Sequence, residues 1–185
     1  MRTAALSWTV LFIAFSTHAA DPKPDDMVNN PPFAHWSMFA PGTSVTQKET
    51  VTLSDGSKLE LIKTFKLVEK TKDKVVVEMT VAGSGSGAGE STVTTTTYPA
   101  QAKLSEVSSP PGSASVTEGK ETVDVKGKKV DTEWYEAVTT YGGEVTTDKA
   151  WTAKDIPGGV IKETITQKKA GKVMSESLLE VVDWK

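Results

Sequence analysis

The sequence predicts an all-β domain, an antiparallel up-and-down meander curled into a barrel or half-barrel, with one short N-terminal helix. Three observations predict it. Apolar and polar residues alternate through run after run of strand length, as in Leu59, Leu61, Phe65, Leu67 and Val75, Val77, Met79, Val81. Compact turn signals separate these runs: Ser54-Asp55-Gly56-Ser57, Lys72-Asp73, Lys126-Gly127-Lys128, Gly142-Gly143 and Ala170-Gly171. Between Gly119 and Val160, strand and turn succeed one another without a break, and Trp134 and Trp151 both lie inside strand-like runs. Strands joined in this way curl upon themselves rather than alternate with helices.

Taken in order, Arg2 precedes an apolar run from Leu6 to Phe15, and small residues follow up to Ala20. This is the pattern of a secretory signal peptide over residues 1–20, cleaved after Ala19 or Ala20. The run is too short for an ordinary membrane-spanning helix, although a retained N-terminal anchor is the alternative reading. No later segment is apolar enough to span a membrane, so the predicted address is exported, periplasmic or secreted. The chain contains no cysteine, which excludes disulfides, thiol catalysis and cysteine metal sites. Cleavage removes the one arginine among 21 basic residues and leaves 20 lysines against 24 acidic residues, a formal charge of −4. Without guanidinium groups, and with no basic block interleaved with aromatics, no nucleic-acid partner is expected. Lysines spread along strands read as a solvated face that discourages aggregation.

Residues 21–32 are rich in Pro, Asp and Asn and are expected to form a disordered leader, with a single β domain over 33–185. Phe33, Trp36 and Phe39 are spaced for one side of a short helix over 33–39, closed by Pro41-Gly42, which plugs an end of the sheet. Val45, Val51 and Leu53 open the first long strand, and the Ser54–Ser57 turn reverses it. Gly83-Ser84-Gly85-Ser86-Gly87-Ala88-Gly89 loosely matches a dinucleotide fingerprint, but the Thr-rich stretch after it is β-prone and offers no helix N-terminus. It reads as a hairpin tip. Residues 99–118, with Pro110-Pro111-Gly112, read as a long surface excursion.

In the run after Lys128, Val130, Thr132, Trp134, Glu136 and Val138 share one face and Asp131, Glu133, Tyr135 and Ala137 the other. Gly142-Gly143 supplies the positive φ angles of a two-residue hairpin, so Trp134 and Trp151 can stand opposite each other on paired strands. Beyond Trp151, Ile156-Pro157-Gly158-Gly159 makes a corner, and two strands carrying Ile161, Ile165 and Val173 to Trp184 close the domain.

Trp36 with Pro41-Gly42-Thr43-Ser44-Val45, Glu121 through Val130, and Lys149-Ala150-Trp151 with Ile156-Pro157-Gly158-Gly159-Val160 form a pattern that covers nearly the whole mature chain. This pattern resembles exported proteins common in planctomycete-type bacteria. By topology and export the chain is more distantly similar to the LolA and LolB lipoprotein-carrier superfamily. That resemblance implies a curved antiparallel sheet holding acyl chains in a hydrophobic concavity; the mature sequence departs from it in lacking arginine and clear lid helices.

No catalytic set emerges. His35 is the one histidine outside the signal peptide and lacks fellow ligands or triad partners, while Glu133 and Glu136 point to opposite faces of one strand. No enzyme activity, cofactor or metal is therefore expected. Two function classes remain. In the first, the domain is an exported periplasmic binding or carrier module for a lipid or other apolar ligand, held by Leu61, Phe65, Trp134 and Trp151. In the second, it is a structural or interaction protein of the cell envelope, and the same residues are closed core.

Overall fold

The computed structural model describes residue 23 and residues 25–84, 91–107 and 113–185. The signal peptide, most of the Gly83–Gly89 tip and the Pro110-Pro111-Gly112 corner lie outside the described residues.

In chain order the elements are β1 (Met27–Asn29), α1 (Pro31–Trp36), β2 (Ser44–Leu53), β3 (Lys58–Lys70), β4 (Lys74–Ser84), β5 (Thr92–Pro99), β6 (Gln101–Lys103), α2 (Leu104–Val107), β7 (Ser113–Val125), β8 (Lys128–Tyr141), β9 (Glu144–Thr152), β10 (Val160–Lys169) and β11 (Lys172–Trp184). Nine strands form one antiparallel sheet in the order β5-β4-β3-β2-β11-β10-β9-β8-β7, and β1 pairs with β6 in a separate ribbon. The sheet is thus two meanders joined where the last strand, β11, lies beside β2. It curls without closing, because β5 and β7 remain edges, and the result is a half-barrel. No described helix is long and apolar enough to cross a membrane.

Turn chemistry fixes the register. Gly142 and Gly143 adopt φ of 58° and 81°, and Tyr141 pairs directly with Glu144 across them. That is the two-residue hairpin whose twist matches the strands it joins. Ala170 holds the equivalent place in the β10–β11 hairpin with φ of 49°, where its Cβ crowds the following carbonyl. Replacing Ala170 by Asn, which tolerates this region, should raise the unfolding free energy by about 1 kcal/mol. A urea titration of both proteins checks it: the midpoint moves up at unchanged slope.

Three expectations from sequence are corrected. The leader does not extend to Pro32: Met27–Asn29 pair with Gln101–Lys103, and Asn30 is buried. The helix runs over Pro31–Trp36 rather than 33–39, because two prolines are tolerated in a first turn whose N–H groups have no intrahelical partner. The excursion over 99–118 is mostly regular structure, with β6 and α2 at its start and β7 beginning at Ser113. The small polar residues around Pro110-Pro111-Gly112 suggested a loop, yet the sheet takes up the chain again from Ser113 as an edge strand.

The core gathers at one end of the sheet. Val45, Leu67, Val75, Val77, Ile161 and Val181 meet Trp36 of α1 and Ile156 of the 153–159 corner, with Phe33, Phe39, Phe65 and Trp184 packed around them. Gln47 is buried beside it and donates from Nε2 to the Val160 carbonyl at 3.0 Å. The opposite end carries the β2–β3, β8–β9 and β10–β11 turns.

Candidate functional site: the inner face of the half-barrel

Residues paired across neighbouring strands share a face, so the register traces each face through the whole sheet. One row runs Leu61, Glu49, Leu179, Glu163, Ala150, Tyr135 from β3 to β8. The row beside it runs Leu59, Val51, Ser177, Ile165, Asp148, Ala137, Val116. On the other side lie Val81, Lys63, Gln47 and Val181, and then Met79, Phe65 and Val45. These rows include the buried core, so this is the inner face of the half-barrel.

Above the packed floor, the inner face carries a belt of polar groups set among apolar ones. Lys63 Nζ lies 2.7 Å from Glu49 Oε2, with side chains only 11 % and 17 % exposed. Ser177 Oγ donates to the other Glu49 oxygen at 3.0 Å. Asp148 is 6 % exposed. Glu163 has its carboxyl pushed up to about 7, first by loss of solvent, then by the Asp148 charge, with Lys63 opposing and Glu49 adding to the rise. The Tyr135 phenol is pushed far above its ordinary value, chiefly by burial and then by Asp148 and Glu163. Five titratable groups from five strands therefore share one desolvated region.

Toward the open end the inner face is mixed, with Ser175, Gln167, Thr146 and Thr139 in the row that starts at Leu53. Leu53, Leu59, Val116 and Tyr141 all fall on inner-face positions and remain 48 to 79 % exposed. The cup thus has a closed apolar floor and a polar belt, and exposed apolar side chains stand at its two flanks, on β2–β3 and on β7–β8.

Of the four residues expected to share a ligand face, Leu61 and Phe65 lie on the inner face, half-buried. Trp134 and Trp151 are direct Cα partners, as the hairpin geometry predicts, but they occupy the outer face, since Ala150 and Tyr135 take the inner positions beside them. The four do not form one surface. The two indoles are also already covered: Lys149 Nζ sits 4.1 Å from the Trp134 ring centre and 4.8 Å from that of Trp151, and Lys162 is 5.4 Å from Trp151 on its other neighbour strand. Trp151 Nε1 donates to Glu121. Trp134 lies flat over Gly119, where an added Cβ would come within 2.7 Å of the ring. Trp151 also packs against the buried cluster, which reaches this face through Val125, so the stack is a packing device that joins cation–π contacts to the core.

Glu49, Lys63, Tyr135, Asp148, Glu163 and Ser177 were not singled out by sequence reasoning. The available signal was a charge at a position whose i−2 and i+2 neighbours are apolar, as Lys63 is between Leu61 and Phe65. His35 is packed rather than exposed. Its imidazole is held below the ordinary value by burial and then by Lys154, and an added Cβ at Gly159 would stand 2.6 Å from its Nδ1. Among the described residues no group of three or more side chains could hold a metal ion.

No protein-family profile and no curated protein matches the sequence. Among solved structures, the chain is similar to a predicted exported protein of YmcC-like fold from Bacteroides fragilis. The identity is 13 %, covering 79 % of this chain and 96 % of that one, with a TM-score of 0.43. It is also similar to a predicted lipoprotein from Parabacteroides distasonis, at 12 % identity, 79 % and 96 % coverage and a TM-score of 0.42. A LolA-superfamily protein from Nitrosomonas europaea matches at 9 % identity, with 85 % and 93 % coverage and a TM-score of 0.25.

Proposed function

We propose that this chain is an exported, periplasmic or secreted, non-enzymatic binding or carrier module that holds a lipid or other apolar ligand against the inner face of its half-barrel. The observation that carries this reading is the open inner face: Leu53, Leu59, Val116 and Tyr141 stay exposed around a belt that is already desolvated. An apolar face of a sheet gains free energy when something covers it, and the chain's own helix α1 covers the floor alone. A ligand with an acyl or polycyclic body would bury those exposed side chains. Export rests on the signal-peptide pattern before Asp21.

Titration with an environment-sensitive apolar dye tests the reading. Saturable enhancement is expected, with displacement by a fatty acid or phospholipid. Leu59→Lys should weaken dye affinity roughly tenfold, the cost of losing one Leu-sized contact. It should leave folding intact, because Leu59 is exposed. Trp134→Leu, on the outer face, should leave affinity unchanged. Absence of saturable uptake by the parent protein favours the envelope structural protein instead.

A further inference from the structure

We infer that β5 is a self-association edge, through which two copies of this chain join their half-barrels into one continuous sheet. Among the nine strands of the large sheet, β5 alone carries no charged residue: its sequence is Thr-Val-Thr-Thr-Thr-Thr-Tyr-Pro. Natural edge strands are normally protected by charges, bulges or a covering element, because their free N–H and C=O groups template another strand. This edge lacks the first two over its eight residues: its pairing with β4 runs from Val81–Thr92 to Lys74–Pro99 without a register shift. Among the described residues Thr92 to Thr95 are exposed, and cover comes only toward the far end, where Tyr98 packs against the buried cluster and α1 approaches. Proline occurs only at its last position, Pro99, so Thr92 to Tyr98 keep every donor.

A second copy is the occupant that fits this edge best. The strand is uncharged and nearly uniform in threonine, so an antiparallel copy of itself meets no like-charge repulsion and forms Thr–Thr pairs, which suit the pleated surface. A two-fold axis normal to the sheet at Thr95 would set Thr94 of one copy across from Thr96 of the other, keeping both inner faces on the same side. Such a contact is isologous and closes at two copies. The remaining edges of the pair would both be β7, which carries Glu118, Lys120, Glu121 and Asp124 and is thereby protected against further growth. The inference concerns the sheet edge and does not depend on whether a ligand binds the inner face.

The test is the molar mass of purified protein by light scattering and sedimentation equilibrium, up to about 1 mM, since an interface of one strand pair is small and its affinity is correspondingly modest. The parent protein should reach twice the monomer mass. Thr95→Lys should return it to the monomer mass, because it sets two like charges together across the axis. Within its own sheet the new lysine gains Glu78 as cross-strand partner, so the monomer should stay folded. Should circular dichroism show that variant unfolded, the double variant Val93→Lys with Thr97→Lys takes its place, since both positions are exposed and the axis sets position 93 of one copy across from position 97 of the other. Ser115→Lys, on the opposite edge, should leave the dimer intact. A parent protein that stays monomeric, that grows beyond two copies, or that dimerises equally well with lysine in β5 overturns the inference.

Discussion

Replacement of Trp36 by Ala is expected to lower the unfolding free energy by about 3–5 kcal/mol, a large part of what holds a single domain together. Trp36 is 5 % exposed and is the largest side chain in the buried cluster that closes the floor of the cup. It reaches that position because two consecutive glycines admit the helix. Gly158 and Gly159 adopt φ of 77° and 83°, and a Cβ on the first would stand 3.2 Å from the Trp36 ring while one on the second would meet His35. The α1 helix has only six residues and no side-chain hydrogen bond at its N-cap, so little but this packing holds it in place. Loss of the indole should therefore release α1 as well as open a cavity. Thermal melting followed by circular dichroism checks it, with a fall in midpoint of roughly 10 °C and the strand signal retained below the transition. Trp134→Ala, at a half-buried outer position, should cost clearly less; equal losses at the two sites would show that the floor is not the centre of stability.

These two tryptophans also show how much of the molecule the sequence could reveal. Alternation and turn residues are local signals, so the strands from β2 to β4 and β8 to β11 and the Gly142-Gly143 hairpin were readable, down to the pairing of Trp134 with Trp151. Faces within one strand were readable for the same reason. Whether Phe65 on β3 shares a face with Trp151 on β9 depends on four successive pairings, through β2, β11 and β10, and on the non-local junction of β11 with β2. A slip of one residue in any of them exchanges the faces, so the sequence alone could not separate Leu61 and Phe65 from the two indoles. The β1–β6 ribbon was hidden because three residues of Met-Val-Asn carry no period. Likewise, the polar belt is assembled from Glu49, Lys63, Tyr135, Asp148 and Glu163 on five strands, each an unremarkable surface-type residue until the sheet curls around it.

Glu163→Gln is expected to stabilise the protein above neutral pH by up to about 3 kcal/mol, the equivalent of a carboxyl raised from 4.5 to about 7. The folded state disfavours the charged form, because Glu163 is desolvated between Ala150 and Leu179 and faces Asp148 and Glu49, with only the Lys63 charge opposing. Between the two values the folded protein holds a proton that the unfolded chain has lost. The contribution of this group to stability is thus most favourable below about 4.5, declines as pH rises, and levels off above about 7. Other carboxylates add their own pH dependence, so the quantity to measure is the difference between parent and variant in urea-unfolding free energy across pH 4 to 8. That difference should be near zero at the acid end and open steadily toward pH 7, and Asp148→Asn should narrow it by removing the strongest repulsive charge on Glu163. A difference that stays flat with pH would mean that the Glu163 carboxyl is solvated and that the belt does not close around it. The same titration bears on ligand binding: an apolar body laid across the belt strips more water from Glu163, so bound lipid should push its titration higher still.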